Sequence, residues 1–598
     1  MGFGCVGFFN SCIKTRPSGK SRPKRMGSAS FFLSAFAFLA GTTVAGELLA
    51  EGWNARLLPP PSSAAAAYLW TPEEIAFFTG LNRDDYGTVW PISWAKVDTA
   101  GLAGFPWASR NLHGPIRLSA SYGLFPADKL YPFGQPFETF QGGWGSSRLN
   151  PEQGVAAGQL PPALSLEVAY PFTRHLYGYA RASLKRDIRS WHSDALGGNW
   201  PLGMDEVDLN EPSLGYLTAD SRWGSLIFGR FPMHIGPSPE YSLLVGGQKP
   251  YHDGALFTLK APVVRYHFFF SSLNPWLQGS VPGELSSEDY PVGSEEWRQR
   301  HYPQAWAENA HGRVYAERAK SLAVHRLETH LALPQDFSLT LGLSEMQIIG
   351  GKVPSLYDLQ PFTVWHNDFK IGYTNNLVHL DARLRMPLGM AFFGEIAMDD
   401  LPYARKEGDK QHAILGWLLG AEQKGGWQGI QWVQRLHVIR TDPLLYHFIQ
   451  PLNTLYARHI LSTNDQRSSD PTFVDRLVID YPVGYVRGGD AFDYWYSASG
   501  FFPRQTWLPR GAFALFKAAY LQHGEVSIDT PKETIDDALS SPTGIPLEEW
   551  RGEITASVPL PQGLTARVGA GGSRWEKGDD GGHHFWAEAG LLWSWGGE

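Results

Sequence analysis

The segment Phe337-Ser338-Leu339-Thr340-Leu341-Gly342-Leu343-Ser344 decides the predicted fold. Apolar side chains occupy every second position, and small or polar residues fill the positions between them. This is the pattern of a β-strand with one oily and one wet face. Only Pro334-Gln335-Asp336 separates it from an earlier alternating segment that begins at Val324. We therefore expect a hairpin of two long strands.

The same pattern returns directly downstream. Residues 377–385 alternate, Pro387-Leu388-Gly389 gives a turn signal, and residues 390–399 alternate again. Two successive long hairpins have short turns and are joined by a longer connection. This arrangement favours a transmembrane β-barrel over a soluble sandwich, in which we would expect shorter strands and no systematic difference between turns.

The composition agrees with a barrel. Aromatic residues make up 14% of the chain, including 23 Trp and 24 Tyr, and such amphipathic rings collect at membrane interfaces. Charged residues amount to 18%, below the roughly 25% of an average soluble domain. The sequence has no uninterrupted apolar run of about 18 residues, which argues against a helical membrane protein.

Residues 1–45 have the layout of a secretory signal peptide. Five basic residues from Arg16 to Arg25 precede an apolar run over residues 31–40, and small residues follow up to Ala45. Either Met1 or Met26 can be the initiator. Cleavage removes both cysteines, Cys5 and Cys12, and leaves 45 basic against 59 acidic residues, a net charge of -14. Such an exported chain has no disulfide or thiolate chemistry and is a poor candidate for binding nucleic acid.

Residues 46–110 are the only part of the exported chain with a helical pattern. Thr71 is placed to cap a helix, Pro72 takes its first position and Glu74 completes a capping box. A second helix is predicted over residues 93–102. We expect a small helical segment on the periplasmic side, followed by the barrel over residues 111–598.

About sixteen strands are predicted between residues 116 and 595, and the even parity of such barrels leads us to expect 16 to 18 antiparallel strands. Tight turns and connections of tens of residues form two classes, as periplasmic turns and external loops do. One predicted hairpin turns at Lys424-Gly425-Gly426, and one predicted strand covers residues 476–479. The last strand places Phe585 and Trp595 outward and Glu588 inward.

Charged and histidine side chains on the central hairpins form a predicted network inside the barrel. Its members are Arg326, Glu328, His330, Glu345, Asp381, Arg383, Arg385, Glu395 and Asp399. Buried charges persist when they are paired, so the simplest interpretation is an ion-pair network that fills the lumen. A binding or conduction path is the alternative.

A long polar connection over residues 274–321 carries the better candidates for ligand contact. These are Trp297, Arg298, Arg300, Tyr302 and Trp306. Sugar polymers need planar hydrogen-bonding groups and aromatic platforms, which this set supplies. The same aromatic rings can instead pack the loops against one another.

The sequence contains no catalytic motif that we recognise. It has no Gly-x-Ser-x-Gly elbow, no His-Glu-x-x-His, no phosphate loop and no cysteine cluster. His583-His584 follows Asp579-Asp580 but lacks a third metal ligand at a defined spacing. We expect no enzyme activity, no metal and no cofactor, although a Ser-His pair assembled by the fold keeps an outer-membrane hydrolase open.

Several segments from about residue 68 onward resemble the Wzi-like capsule assembly family of outer-membrane proteins. They follow that family's order along the chain. The segments are Trp70-Thr71-Pro72 through Trp90-Pro91-Ile92-Ser93, Phe228-Gly229-Arg230 through Ile235-Gly236-Pro237, His325-Arg326-Leu327-Glu328, Leu341-Gly342-Leu343-Ser344-Glu345, Leu359-Gln360-Pro361-Phe362, His366-Asn367, Asn375-Asn376, and Gly394-Glu395 through Asp399-Asp400.

The resemblance implies an 18-strand barrel with a helical bundle below it, acting as a lectin that holds capsular polysaccharide at the cell surface. We therefore expect a monomeric outer-membrane protein whose partners are capsular or exopolysaccharide and outer-membrane lipid. A porin or polysaccharide-export channel is the first alternative, and the hydrolase is the second.

Overall fold

Eighteen antiparallel strands form a closed barrel in the computed structural model. We number them β1 to β18 in chain order. They are β1 Ile116–Pro126, β2 Leu164–Thr173, β3 Leu176–Arg186, β4 Gly215–Ser221, β5 Gly224–Phe231, β6 His252–Lys260, β7 Val264–Leu273, β8 Lys320–Ala332, β9 Ser338–Gly350, β10 Thr374–Arg385, β11 Met390–Asp400, β12 Ile414–Trp427, β13 Ile430–Thr441, β14 Ala491–Phe502, β15 Ala512–His523, β16 Leu547–Pro559, β17 Leu564–Lys577 and β18 Asp580–Gly596.

The structure describes most of the barrel and part of the connections, all within the unit Leu49–Glu598. The described residues are 57–58, 88–90, 92–93, 116–126, 138–139, 147–149, 151–173, 175–186, 196–203, 207–208, 214–273, 319–356, 358–360, 365, 374–400, 413–448, 453–464, 475–502, 511–527, 530 and 540–596. Within these ranges, no helix is long and apolar enough to cross a membrane.

The barrel closes because its last strand pairs with its first. Trp595 of β18 lies opposite Leu118 of β1, and every other strand pairs with its neighbour in chain order. The expected fold class and strand number are therefore confirmed. Two short strands from the connection after β3 extend the wall, because Val207–Asp208 pairs with β3 and Leu196–Gly198 with β1.

The oily face of each strand points outward. Leu341 and Leu343 of β9 are 39% and 50% exposed, whereas Gly342 and Ser344 between them are buried. Exposed apolar side chains occur on strands all around the cylinder. Examples are Leu124, Phe172, Leu217, Phe228, Phe257, Leu327, Phe392, Leu419, Leu436, Phe502, Phe516, Ile554, Val568 and Leu591. A closed cylinder with an apolar outer belt is a transmembrane β-barrel.

The predicted tight turns of the central hairpins occur as expected. Pro387-Leu388-Gly389 and Pro561-Gln562-Gly563 adopt the same turn, in which the middle residue and the glycine both have positive φ near 60° and 75°. Both turns lie at the same end of the barrel as Pro334-Gln335-Asp336. The strand ends that the long connections join lie at the opposite end, which we call the loop end.

One predicted turn is wrong. Lys424, Gly425 and Gly426 lie inside β12, and the chain reverses instead at Gln428 and Gly429, whose φ angles are 50° and 80°. Glycine pairs attract a turn prediction, but here Gly425 packs against the ring of Trp432 on the facing strand. A side chain at residue 425 would overlap that ring.

Part of the loop end forms a second, smaller sheet, the cap sheet. It contains Glu138–Thr139, Ser147–Leu149, Tyr456–Asn464 and Asp475–Pro482. The predicted strand over residues 476–479 is therefore real but belongs to the cap sheet rather than to the barrel wall. Tyr456–Asn464 was not predicted, since it lies in a stretch that reads as a polar connection.

A helix packs beside the cap sheet. Helix α1 covers Pro151–Gln159, and a side chain at Gly154 would overlap Ile479 and Tyr481 of the cap sheet. The expectation that residues 46–110 hold the only helical pattern is thus wrong. Their own predicted helices lie largely outside the described residues, although Ser93 is found in a short strand, Ile92–Ser93.

Candidate functional site

The lumen is occupied by the connection between β5 and β6. We call residues 232–251 the plug. Nearly all of its side chains are buried, including Met233, Leu243 and Val245, and its backbone closes on itself through Ile235 N–H donating to the Val245 carbonyl at 2.9 Å. Its two-residue strand His234–Ile235 pairs with Val89–Trp90 from the N-terminal region. A segment before the barrel therefore completes the plug.

Glu395 on the inner face of β11 holds the tip of the plug. Its carboxylate accepts a hydrogen bond from the Leu243 backbone N–H at 2.7 Å and one from the Ser242 hydroxyl at 3.3 Å. The same oxygen lies 3.1 Å from Nε2 of His379 on β10. Gly236 lets the plug approach this group, because a Cβ there would come within 3 Å of Glu395 and Ser242.

A chain of alternating charges attaches the plug to the β10–β13 wall. Arg383 bonds Glu422 at 2.7 Å, and Glu422 also accepts from Arg435 at 2.8 Å. Arg435 reaches Glu240 of the plug at 3.1 Å, while Arg383 donates to the Pro237 carbonyl at 2.8 Å. Since each charge has an opposite neighbour, this buried network is internally compensated.

The electrostatics of Glu240 fit this role. Burial raises the pKa of its carboxyl, but Arg435, His437 and Lys517, together with a hydrogen bond from Ser497, outweigh burial and leave the pKa below its ordinary value. Glu240 is therefore ionised at neutral pH. Ser238, two residues earlier, bonds Nε2 of His437 at 2.8 Å and gives the plug another contact with β13.

Arg326 on β8 is the centre of a second buried cluster. Its guanidinium bonds both carboxylate oxygens of Asp381 at 2.5 and 3.0 Å, and it bonds Glu328 at 3.2 Å. It also donates to the Thr88 hydroxyl at 3.2 Å, which links the N-terminal region to the wall. Gly342 is the floor beneath this guanidinium, because a side chain there would overlap it.

Above the plug, toward the loop end, several rings and charges meet. Tyr241 of the plug lies 5.2 Å from the ring of Trp495 and 5.9 Å from that of Tyr485. Glu152 of α1 pairs with Arg487 at 2.8 Å and with Arg551 at 3.3 Å. Burial raises the pKa of Glu152, but the two guanidiniums lower it further, so the net shift is downward. The plug, α1 and the wall are thus joined.

Most of the predicted lumen residues lie on inward faces. Arg326, Glu328, Asp381, Arg383 and Glu395 belong to the clusters above. His330 bonds Thr340 across the first hairpin at 3.1 Å, Asp399 is buried, and Arg385 is partly exposed near the tight-turn end.

Glu345 is the exception, and its placement in the lumen was wrong. It lies on the same face of β9 as Leu341 and Leu343, near the loop end. There it bonds His325 at 3.0 Å and the Trp365 backbone N–H at 2.9 Å. Trp365 covers this outer patch by stacking on His325 at 4.3 Å.

The predicted ligand contacts Trp297, Arg298, Arg300, Tyr302 and Trp306 lie outside the described residues. Sequence reasoning missed the partners that the plug and the wall supply, namely Glu240, Glu422, Arg435 and His437. For the wall residues, the signal was the inward alternation of β12 and β13. For the plug, it was the apolar run Leu243-Leu244-Val245 inside a Gly- and Pro-rich connection. Across the described part of the chain, no three His, Cys, Asp or Glu side chains are grouped to hold a metal ion.

Comparison with known proteins gives a likeness of fold. No known family's sequence profile matches the chain, and no curated protein sequence matches it. Among solved structures, Wzi of Escherichia coli, described as a carbohydrate-binding β-barrel involved in group 1 capsule assembly, is 14% identical with a TM-score of 0.45, over 87% of this chain and 96% of that one.

Other outer-membrane barrels match at similar distance. OccAB3 of Acinetobacter baumannii is 9% identical with a TM-score of 0.36, over 80% of this chain and 98% of that one. OpdK of Pseudomonas aeruginosa, solved with vanillate, is 9% identical with a TM-score of 0.34 over the same shares.

Proposed function

We propose that the protein is a plugged outer-membrane barrel that binds capsular or exopolysaccharide and holds it at the cell surface, without enzymatic activity. The observation that carries this proposal is the plug. A segment fixed to the wall through Glu395, Arg383 and Arg435 fills the lumen, so the barrel is better suited to support its loops than to pass large solutes. Residues 1–45 would act as the cleaved export signal.

The orientation follows from the two classes of connection. Barrels of this kind place short turns in the periplasm and long loops outside. The loop end, with its cap sheet and α1, would then face the medium, and the N-terminal region would begin on the periplasmic side. The resemblance of the sequence to the Wzi-like family supports the same arrangement.

The binding surface is proposed to include Trp297, Arg298, Arg300, Tyr302 and Trp306. They belong to the connection between β7 and β8, which joins two strands at the loop end. Tryptophan and tyrosine rings can stack on the apolar faces of sugars. Arginine forks can bind the carboxylates of acidic polymers with two parallel hydrogen bonds.

A retention assay tests the proposal. A strain that lacks the protein should shed polymer into the medium, and the wild-type gene should restore surface polymer. A variant with all five residues changed to alanine should reach the membrane but fail to restore retention. Arg222→Ala with Trp223→Ala is the matched control, because this exposed pair of the same chemistry lies at the tight-turn end. Normal retention without the protein would refute the proposal.

A second candidate function is the passage of small ions past the plug. Inward-facing residues of β15 to β17 remain partly exposed along the height of the wall, including Arg551 at 22% and Arg567 at 26% of their side chains. Steady conductance of the purified wild-type protein in a planar bilayer would favour this function, and silence would favour a closed barrel.

A further inference from the structure

The outer wall has a groove of about 760 Å³ where β15 to β18 meet the membrane. Its floor is formed by small residues of two adjacent strands, Gly552 of β16 and, on β17, Ala570 and Gly572, which lies opposite Gly552. A Cβ at Gly552 would meet no atom within 4 Å, so the floor lies below the surrounding surface. The outward-facing residues around the floor carry large side chains, whereas Gly552 carries none.

Apolar side chains form the walls of this groove. Phe516 and Ile554 stand on the side toward the tight turns, Phe585 closes one flank, and Trp550 stands on the side toward the loop end. Ile554 is 56% exposed and Phe585 73% exposed, as members of the apolar outer belt. The groove is therefore continuous with the surface that contacts lipid, and a hydrocarbon chain is the occupant that its surroundings provide.

Packing against hydrocarbon alone selects no particular lipid, because a chain leaving bulk lipid gains no hydrophobic energy. The selective element is charge at one end of the groove. Arg574 and His583 lie opposite each other on β17 and β18, on the side toward the loop end. The Arg574 side chain is 71% exposed and its guanidinium lies 5.9 Å from the Trp550 ring.

This end suits a phosphate head group. Arg574 already pairs with Glu576, but a guanidinium carries five donors and the carboxylate occupies only part of them. An arginine with donors to spare beside an imidazole is a natural partner for phosphate. Both groups lie one outward-facing position closer to the loop end than the apolar floor.

We propose that this groove binds one acyl chain of a phosphate-bearing lipid of the leaflet at the loop end, with the phosphate held by Arg574 and His583. If the loop end is external, the lipid is lipid A, an acylated glucosamine disaccharide that carries phosphate. The proposal is independent of polysaccharide binding, since the groove lies on the membrane face of the wall rather than on the loops.

Lipid retention by the full-length barrel tests this site. The protein is delipidated in mild detergent, incubated with lipid A, and analysed by native mass spectrometry. Wild type should retain one lipid A per barrel, in preference to lipid A without its phosphates. Gly552→Leu, which fills the floor, should reduce retention by roughly tenfold, as should Arg574→Gln, which removes the charge-assisted hydrogen bond.

Gly215→Leu is the matched control, because Gly215 starts β4 at the loop end and a Cβ there also meets no atom within 4 Å. This variant should retain lipid A as the wild type does. If Gly552→Leu fails to insert, Arg574→Gln still decides, since an exposed side chain can be changed without disturbing the barrel. Equal retention by wild type and Arg574→Gln, or equal retention of the phosphate-free lipid, would overturn the proposal.

Discussion

Replacing Glu395 by leucine should release the plug from the wall. The change removes the acceptor for the Leu243 N–H, whereas the Ser242 hydroxyl can still donate to the Ile235 carbonyl. An unsatisfied buried donor costs about 1–3 kcal/mol, so the loss of this bond between plug and wall costs about 2 kcal/mol. At a tenfold change for each 1.4 kcal/mol, the ratio of displaced to seated plug should rise roughly 25-fold.

Planar bilayer recordings measure this ratio directly, because a displaced plug opens the lumen to ions. Glu395→Leu should show openings far more often than the wild type at the same protein density. Glu395→Gln should lie between the two, since its amide oxygen can still accept from the Leu243 N–H. The graded series links the conductance to one hydrogen bond rather than to a general loss of structure.

The control is Glu588→Leu. Glu588 is also an inward-facing, buried carboxylate, but its ion pair with Arg567 at 3.2 Å joins β17 and β18 rather than the plug and the wall. It should destabilise the barrel without a comparable rise in openings. The reasoning fails if Glu395→Leu folds and remains as silent as the wild type, or if Glu588→Leu opens the lumen equally.

Two further changes probe the buried clusters. Gly342→Ala should displace the Arg326 guanidinium and lower the free energy of unfolding by about 1–3 kcal/mol in a urea titration, whereas Gly215→Ala, which faces open space, should change it little; equal effects would contradict the packing argument. Burial lowers the pKa of His234 in the plug to about 4, against an opposing hydrogen bond to the Ser238 carbonyl. The imidazole takes up its proton near pH 6.5 in the unfolded chain and only near pH 4 in the folded protein. The free energy of unfolding should therefore be highest above pH 6.5 and should fall by about 3 kcal/mol between pH 6.5 and 4. His234→Gln should remove this slope, and an unchanged slope would show that other groups cause it.

The sequence predicted the barrel wall well because the wall depends on local rules. A period of two sets the face of each residue, and signals such as Pro387-Leu388-Gly389 set the turn. The error at Lys424 to Gly426 shows the limit of these rules. Gly425 makes room for the ring of Trp432 on the facing strand and does not reverse the chain. Only the pairing register distinguishes a glycine of this kind from one in a turn.

The interior was harder to predict because its contacts join residues far apart in the chain. Arg435 meets Glu240, and Arg326 meets Thr88, across separations that no spacing rule covers. Residues such as Asp381 and Glu395 were found because they alternate with lipid-facing neighbours. Glu345 was assigned to the lumen because it is charged. The alternation of the strand, which puts Glu345 on the same face as Leu341 and Leu343, already predicted the outer face.

The β2–β3 hairpin has the shortest pairing with its neighbouring strands in the described barrel wall. Its pairing with β1 runs only from Ile116–Val168 to Ala120–Leu164, and its pairing with β4 only from Gly215–Ala180 to Ala219–Leu176. The ladder between β17 and β18, in contrast, extends from Leu564–Trp593 to Lys577–Asp580. Amide protons along both edges of this hairpin should therefore exchange first. Under mechanical force, strand pairing should break there before anywhere else in the described wall.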